Sequence, residues 1–135
     1  MISAVERKIE QFIADLNDKE VSRLYTQLPQ GKRLRAKLIL KIAGSSLSVV
    51  KTAAIVEMIH AASLLHDDVI DDAYTRRSKP SLNALYGNKT AIMLGDVLYS
   101  KGFLELNSIS VDVAKLISNA VVQLSLGELK DVSLS

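Results

Sequence analysis

A chain of 135 residues, 48% apolar and only 4% aromatic, is long enough for one hydrophobic core and too short for several. Its formal charge of +2 offers no basic face for nucleic acid, and with no cysteine it has neither a disulfide framework nor a thiolate metal site. A core of Leu, Ile, Val and Ala without tryptophan suits packed helices, so an all-α single domain spanning residues 1–135 is expected.

Ile2, Val5, Ile9, Phe12 and Leu16 recur at steps of three and four residues, the stripe of an amphipathic first helix. Glu6, Arg7, Lys8, Glu10 and Asp15 interrupt it, so it does not read as a targeting leader. Pro29-Gln30-Gly31 breaks the chain, a helical pattern resumes from Lys32 to Ala43, and Gly44-Ser45-Ser46 stops it. From about Ser48 to Asp72 one mostly buried helix is expected, free of Gly and Pro. Its most apolar stretch, Ala53 to Leu65, is too short to span a bilayer and contains Glu57 and His60. A soluble, cytoplasmic protein with no transmembrane segment is therefore expected. Ala73 to Pro80 reads as a polar, basic loop, Ser81 to Tyr86 as a short segment, and Gly87-Asn88 as a turn. Two further helices follow, roughly Thr90 to Leu106 and Asp112 to Leu126, and no segment alternates with period two.

The long central helix ends in Asp67-Asp68-Val69-Ile70-Asp71-Asp72, four carboxylates within six positions. On a helix 67 and 71 face one another, as do 68 and 71, and 68 and 72. Two such charges about 6 Å apart at an effective dielectric of 20 repel by roughly 3 kcal/mol. The negative end of the helix dipole adds to the conflict. A solvated acidic helix end is one reading of this cluster. The other is a divalent cation site, because carboxylate oxygens suit Mg²⁺, which takes one or two of them with water and phosphate. An EF-hand loop does not fit, since the oxygen spacing and central Gly are missing.

Basic residues flank the acids. Lys32 and Arg35 are expected one turn apart at the start of the second helix, where exposed amides and cations together favour anions. Arg76-Arg77 follow the aspartates by a loop short enough to fold back over a bound phosphate, for which Arg provides a rigid donor fork. Singly, each is an ordinary surface charge; together with the aspartates they sketch a site for two phosphorylated groups. His60 lies seven residues before Asp67, on the same face and about 10 Å along the axis, with Ser63 between them. A core histidine is the alternative for His60, and His66, on a different face, is read as structural.

Several separated motifs now combine. Gly31-Lys32-Arg33-Leu34-Arg35, Glu57-Met58-Ile59-His60, Leu64-Leu65-His66-Asp67-Asp68-Val69-Ile70-Asp71 and Arg76-Arg77 resemble, in order and spacing, the trans-polyprenyl diphosphate synthases. Asn83-Ala84-Leu85-Tyr86-Gly87-Asn88 and Leu94-Gly95-Asp96 look like the downstream segments of that family, although no physical role for Asp96 is legible in the sequence. The resemblance implies the N-terminal helices of the isoprenoid synthase (prenyltransferase) fold, incomplete in this chain. By the same resemblance Asp67 and Asp71, with Asp68 beside them, hold Mg²⁺ against an allylic diphosphate that Arg76 also binds. Lys32, Arg35, His60 and Arg77 match the isopentenyl diphosphate pocket.

The implied reaction is head-to-tail condensation, in which departure of diphosphate leaves an allylic cation, the isopentenyl double bond attacks it, and loss of a proton fixes a trans alkene. Clustered cations neutralise the leaving group, and a dry apolar cavity protects the cation from water. Small residues at Ala62 and Ser63, below the aspartates, resemble the long-chain members such as octaprenyl and heptaprenyl synthases, which make quinone side chains. A homodimer is also implied.

Gln30, Ala36 and Ser78 depart from the family pattern where glycine, proline and glycine are usual, and leave the ligand types intact. The chain lacks a second aspartate-rich motif, so the 135 residues alone are expected to be inactive. Two rival classes remain: a terpene cyclase or other Mg²⁺-dependent diphosphate enzyme, which needs no Lys32/Arg35/His60 pocket, and a non-catalytic partner subunit of a two-chain synthase. On this reading Ala62→Phe shortens the products, and an unchanged product profile in an active enzyme contradicts it.

Overall fold

The computed structural model describes residues 1–134. The class is all-α, as expected, with one addition, a two-residue-stranded hairpin. Helix α1 (Ile2–Asp15) turns Val5, Ile9, Phe12 and Ile13 inward, the stripe legible in its sequence. Asn17, left-handed at φ 53°, ends that run, and Asp18 starts a second helix that the apolar pattern does not announce, α2 (Lys19–Tyr25). Asp18 caps it by accepting the Val21 N–H at 3.0 Å, a chemistry that needs no hydrophobic repeat.

Helix α3 (Leu34–Ala43) starts two residues later than expected, which leaves Lys32 outside it. Its first residue follows Arg33, held left-handed at φ 55°, and it stops at Gly44, φ 91°, a backbone state that glycine adopts without penalty. Ser46 caps α4 (Leu47–Ile70) through the Val49 N–H. At 24 residues α4 is by length and composition apolar enough to cross a membrane, which corrects the shorter apolar stretch expected. It is instead the hub of the fold, packed by α1, α3 and most extensively by the later helix α6 (Asn88–Glu105). A helix apolar on most sides belongs in a core.

The expected polar loop after α4 contains β1 (Thr75–Arg76) and β2 (Lys79–Pro80), paired antiparallel with Thr75 opposite Pro80. Both tip residues, Arg77 (φ 52°) and Ser78 (φ 66°), are left-handed, the geometry that two-residue hairpins require and that glycine suits best. Ser81 caps α5 (Leu82–Tyr86) through the Ala84 N–H and donates its hydroxyl proton to the Ala73 carbonyl at 2.8 Å, which closes the loop. Then come α6 (Asn88–Glu105), a 3-10 turn at Leu106–Ser108, and α7 (Val111–Leu134).

Close approach of α6 to α4 depends on small residues. A Cβ added to Gly95 would lie 2.4 Å from the His66 ring and 3.3 Å from the Ala62 carbonyl, and one on Gly102 would lie 2.8 Å from Ile59. By contrast α7 has no buried residue, and Leu116, Leu124 and Leu129 on it are exposed. Gly95→Ala should therefore cost about 1–3 kcal/mol in denaturant unfolding, as overpacked interfaces do. Gly127→Ala, in α7 with nothing near the added carbon, should be neutral or stabilise by about 0.5–1 kcal/mol.

Candidate functional site

The acids straddle the end of α4 rather than lying wholly within it. Ile70 is its last residue, Asp71 caps it with its N–H donated to the Asp67 carbonyl at 2.8 Å, and Asp72 turns away at φ 52°. The helix thus stops two residues before the expected Asp72, where continued helix would stack all four carboxylates against the negative end of its own dipole.

The carboxylates then divide. Asp68, nearly buried, is gripped by Arg76 through two parallel bonds, Nε to Oδ2 at 2.8 Å and Nη2 to Oδ1 at 2.6 Å. This fork-on-carboxylate geometry is the strong form of the ion pair. It leaves Asp68 on a different wall from Asp67, beside Pro80 and Leu28. Asp67 faces a cavity of about 400 Å³ between α4 and α7, together with His60, Ser63, Tyr99 and Glu128. The stripe His60–Ser63–Asp67 therefore does line one side of a single cleft.

Glu128 is a site residue that sequence reasoning missed. A hydrogen bond to Asp67, then burial and the charges of Asp67, Asp71 and Asp131, push its carboxyl above its ordinary value. Carboxylates brought this close mark a place short of positive charge. The sequence signal was faint: Glu128 follows Gly127 in a helix whose polar and apolar residues give no clear stripe.

Cationic residues line a smaller pocket of about 80 Å³, where Lys32, Arg35, His60, Arg76 and Arg77 meet beside Gly31. Lys32 reaches it from the loop before α3, not from the helix as expected, because the left-handed Arg33 intervenes. Gly31 (φ 73°) passes close to the tip of the hairpin, and a Cβ there would lie 3.6 Å from the Arg77 guanidinium. Arg35, His60 and Leu64 line both the pocket and the larger cavity, so one wall is common to the two.

The two small residues below the acids have different surroundings. Ser63 lines the cavity and donates its hydroxyl proton to the His60 carbonyl at 2.6 Å. Ala62 does not line it; it is fully buried, with its carbonyl toward Gly95 of α6. A Phe at 62 thus meets the α4–α6 interface before it meets the cavity. His66 bridges those helices, with Nε2 3.0 Å from the Ile92 carbonyl and 3.2 Å from Asp96 Oδ1, and its ring edge-on to Tyr99. That contact supplies the physical account of Asp96 that its sequence position lacked.

Polyprenyl synthetase is the family whose model matches residues 18–135. Among curated relatives, the decaprenyl-diphosphate synthase of Dictyostelium discoideum is 44% identical over 114 residues, covering 80% of this chain and 25% of that protein. The crystal structure of octaprenyl pyrophosphate synthase from Helicobacter pylori superposes with a TM-score of 0.92 at 43% identity, over 97% of this chain and 45% of that one. A polyprenyl synthase from Caulobacter crescentus, complexed with calcium and isoprenyl diphosphate, gives a TM-score of 0.81 at 30% identity, over 95% of this chain and 41% of that one.

The helical fold is the one found in these synthases. The chain belongs to the polyprenyl synthetase family, and it spans less than half the length of these relatives.

Burial, then the neighbouring Arg35, Arg76 and Arg33, lower the pKa of His60 against the opposing pull of Glu57. Its folded value is thus below the unfolded 6.5, so the unfolded chain binds the proton more readily, and this contribution favours folding increasingly as pH rises toward 6.5. An NMR titration should place His60 below 6.5, and Arg35→Gln should move it upward.

Proposed function

We propose that the protein of which this chain forms the N-terminal part condenses isopentenyl diphosphate with an allylic prenyl diphosphate to make a long-chain all-trans polyprenyl diphosphate, a quinone side-chain precursor. One observation carries the reading: a pocket of cations and an acid-ended apolar cavity share the wall of Arg35, His60 and Leu64. A terpene cyclase needs only the acidic side of that wall.

In this reading Lys32, Arg35, His60 and Arg77 hold isopentenyl diphosphate by its charged end. Neutral His60, favoured by its depressed pKa, donates one hydrogen bond without adding charge. Arg76, fixed by Asp68, presents its remaining donors to the allylic diphosphate. The allylic C–O bond breaks, the electron pair leaves with diphosphate, the isopentenyl double bond attacks the cation, and a proton passes to the released diphosphate as the trans alkene forms. Val56, Ile59 and Val121 on the cavity wall keep water from the cation.

Mg²⁺ fits the donor set. Asp67 and Asp71 would hold it, with Glu128 beside them, whereas Asp68 is committed to Arg76. Among the described residues no three such ligands already converge, which suits an ion that takes one or two carboxylates and completes its shell with water and phosphate. When bound it supplies charge neutralisation to the departing diphosphate.

The product-length role falls to Ser63, whose side chain is on the cavity wall; Ala62 acts there only through the packing of α4 on α6. A homodimer and a cytoplasmic location complete the proposal. Sedimentation and cell fractionation test these two points.

Incorporation of radiolabelled isopentenyl diphosphate by the full-length synthase, with an allylic primer and Mg²⁺, should yield long-chain products; label that enters no prenyl chain rejects the function. Asp67→Ala should abolish Mg²⁺-dependent diphosphate binding, and retained affinity counts against its metal role. Ser63→Phe should shorten the products, while Ala62→Phe should chiefly lower thermal stability.

A further inference from the structure

Glu57 is 3% exposed in the middle of an apolar helix, where an unpaired carboxylate would be severely destabilising. It is not unpaired. Its Oε2 accepts the Ala36 N–H at 2.8 Å, and its Oε1 lies 3.8 Å from Arg33 Nη1. Ala36 is the third residue of α3, so this is the bond an N-cap side chain ordinarily makes. Arg33 occupies the N-cap position and has no acceptor to offer. A carboxylate from α4, 21 residues along the chain, supplies the cap instead.

Arg33 itself is held from three sides. Its side chain is 10% exposed, its guanidinium donates to both carboxylate oxygens of Glu6 on α1, and it has Glu57 of α4 and Tyr25 at the end of α2 as its other neighbours. All three cations of the run Lys32-Arg33-Leu34-Arg35 border the cationic pocket, as Glu57 does, but the middle one turns its guanidinium back onto Glu6 and Glu57 and is neutralised there. The left-handed backbone at Arg33 produces this reversal, and a non-glycine residue there costs on the order of 1 kcal/mol unless its surroundings enforce it.

We propose that Glu57 and Arg33, with Glu6, are positioning residues: paired with one another at the wall of the pocket, they fix the N-terminus of α3, and so set the spacing of Lys32 and Arg35 across the diphosphate pocket. This inference rests on the reading of that pocket as a diphosphate site. It makes a prediction opposite in sign to simple electrostatics. Removing a carboxylate beside an anion pocket should tighten anion binding by charge alone; if Glu57 positions the pocket, removing it should loosen binding.

The test is calorimetric titration of this chain with inorganic pyrophosphate, alongside thermal denaturation of each variant. Lys32→Ala examines the pocket itself and should weaken binding with little change in melting temperature. Glu57→Leu should weaken binding by roughly ten- to hundredfold, the range in which supporting groups act. Glu57→Gln, which keeps an acceptor for the Ala36 N–H, should recover most of that loss. On the Glu57→Leu background Lys32→Ala should cost less than it does alone, because a displaced lysine has less to lose. Should Glu57→Leu fail to fold, Glu6→Ala, which frees Arg33 from the surface side, should weaken binding in its place.

If Lys32→Ala leaves pyrophosphate affinity unchanged, the pocket is not a diphosphate site. If Lys32→Ala weakens binding while the folded Glu57 and Glu6 variants bind as tightly as the parent or more so, the pocket stands and the positioning role is overturned.

Discussion

The grip of Arg76 on Asp68 is the interaction on which the site depends. It joins the end of α4 to a hairpin that starts five residues beyond it, and does so with a nearly buried carboxylate. Without it, a loop with two left-handed tip residues and three basic side chains would have little reason to lie over an apolar helix. With it, Arg77 comes close to Gly31, and the hairpin closes one side of the cationic pocket. The pairing also relieves the crowding of acids at the helix terminus, because one of the four is neutralised internally and another, Asp72, leaves the helix. Asp67 and Asp71 are the pair left without a cation of their own among the interactions described at the terminus.

Helix α4 serves both the core and the chemistry, and its composition records the division. Ala53, Ala54, Met58, Ala62 and Leu65 are buried and hold α1, α3 and α6 in place. Glu57, His60, Ser63, Asp67 and Asp68 interrupt that surface at positions where a neighbouring element supplies a partner or a cleft. Rigidity follows from the same packing. Gly95 and Gly102 bring α6 against α4 so closely that the His66 ring lies over a glycine, and its hydrogen bonds to Ile92 and Asp96 fix the turn of helix that carries Asp67. Polar groups mounted on a packed helix are placed more exactly than groups on a loop.

Much of this was legible in the sequence. The apolar repeat located α1, the Gly44 stop ended α3, the absence of Gly and Pro marked the long α4, and period alone placed His60, Ser63 and Asp67 on one face. The readings that failed were those needing a partner distant in the chain. Helix α2 rests on one capping aspartate and a single buried leucine, too little for a periodic signal. Lys32 was expected on the helix because the left-handed turn at Arg33 is enforced by Glu6 and Tyr25 and not by its own neighbours. Asp68 looked equivalent to Asp67 until Arg76 distinguished them, and Ala62 and Ser63 looked alike until α6 covered one of them. Glu128 lies 61 positions beyond Asp67, and only the placement of α7 brings the two together.

The account rests on cations and acids arranged about a common wall to receive phosphate. Residue-resolved NMR of the chain during addition of pyrophosphate and Mg²⁺ tests this most directly. The account predicts that the largest shifts fall on the side chains of Arg35, His60, Arg76 and Arg77 and on Asp67, and that the acid-side changes require the metal. Shifts scattered over the lysines of α1 and α7, with that wall undisturbed, would contradict it.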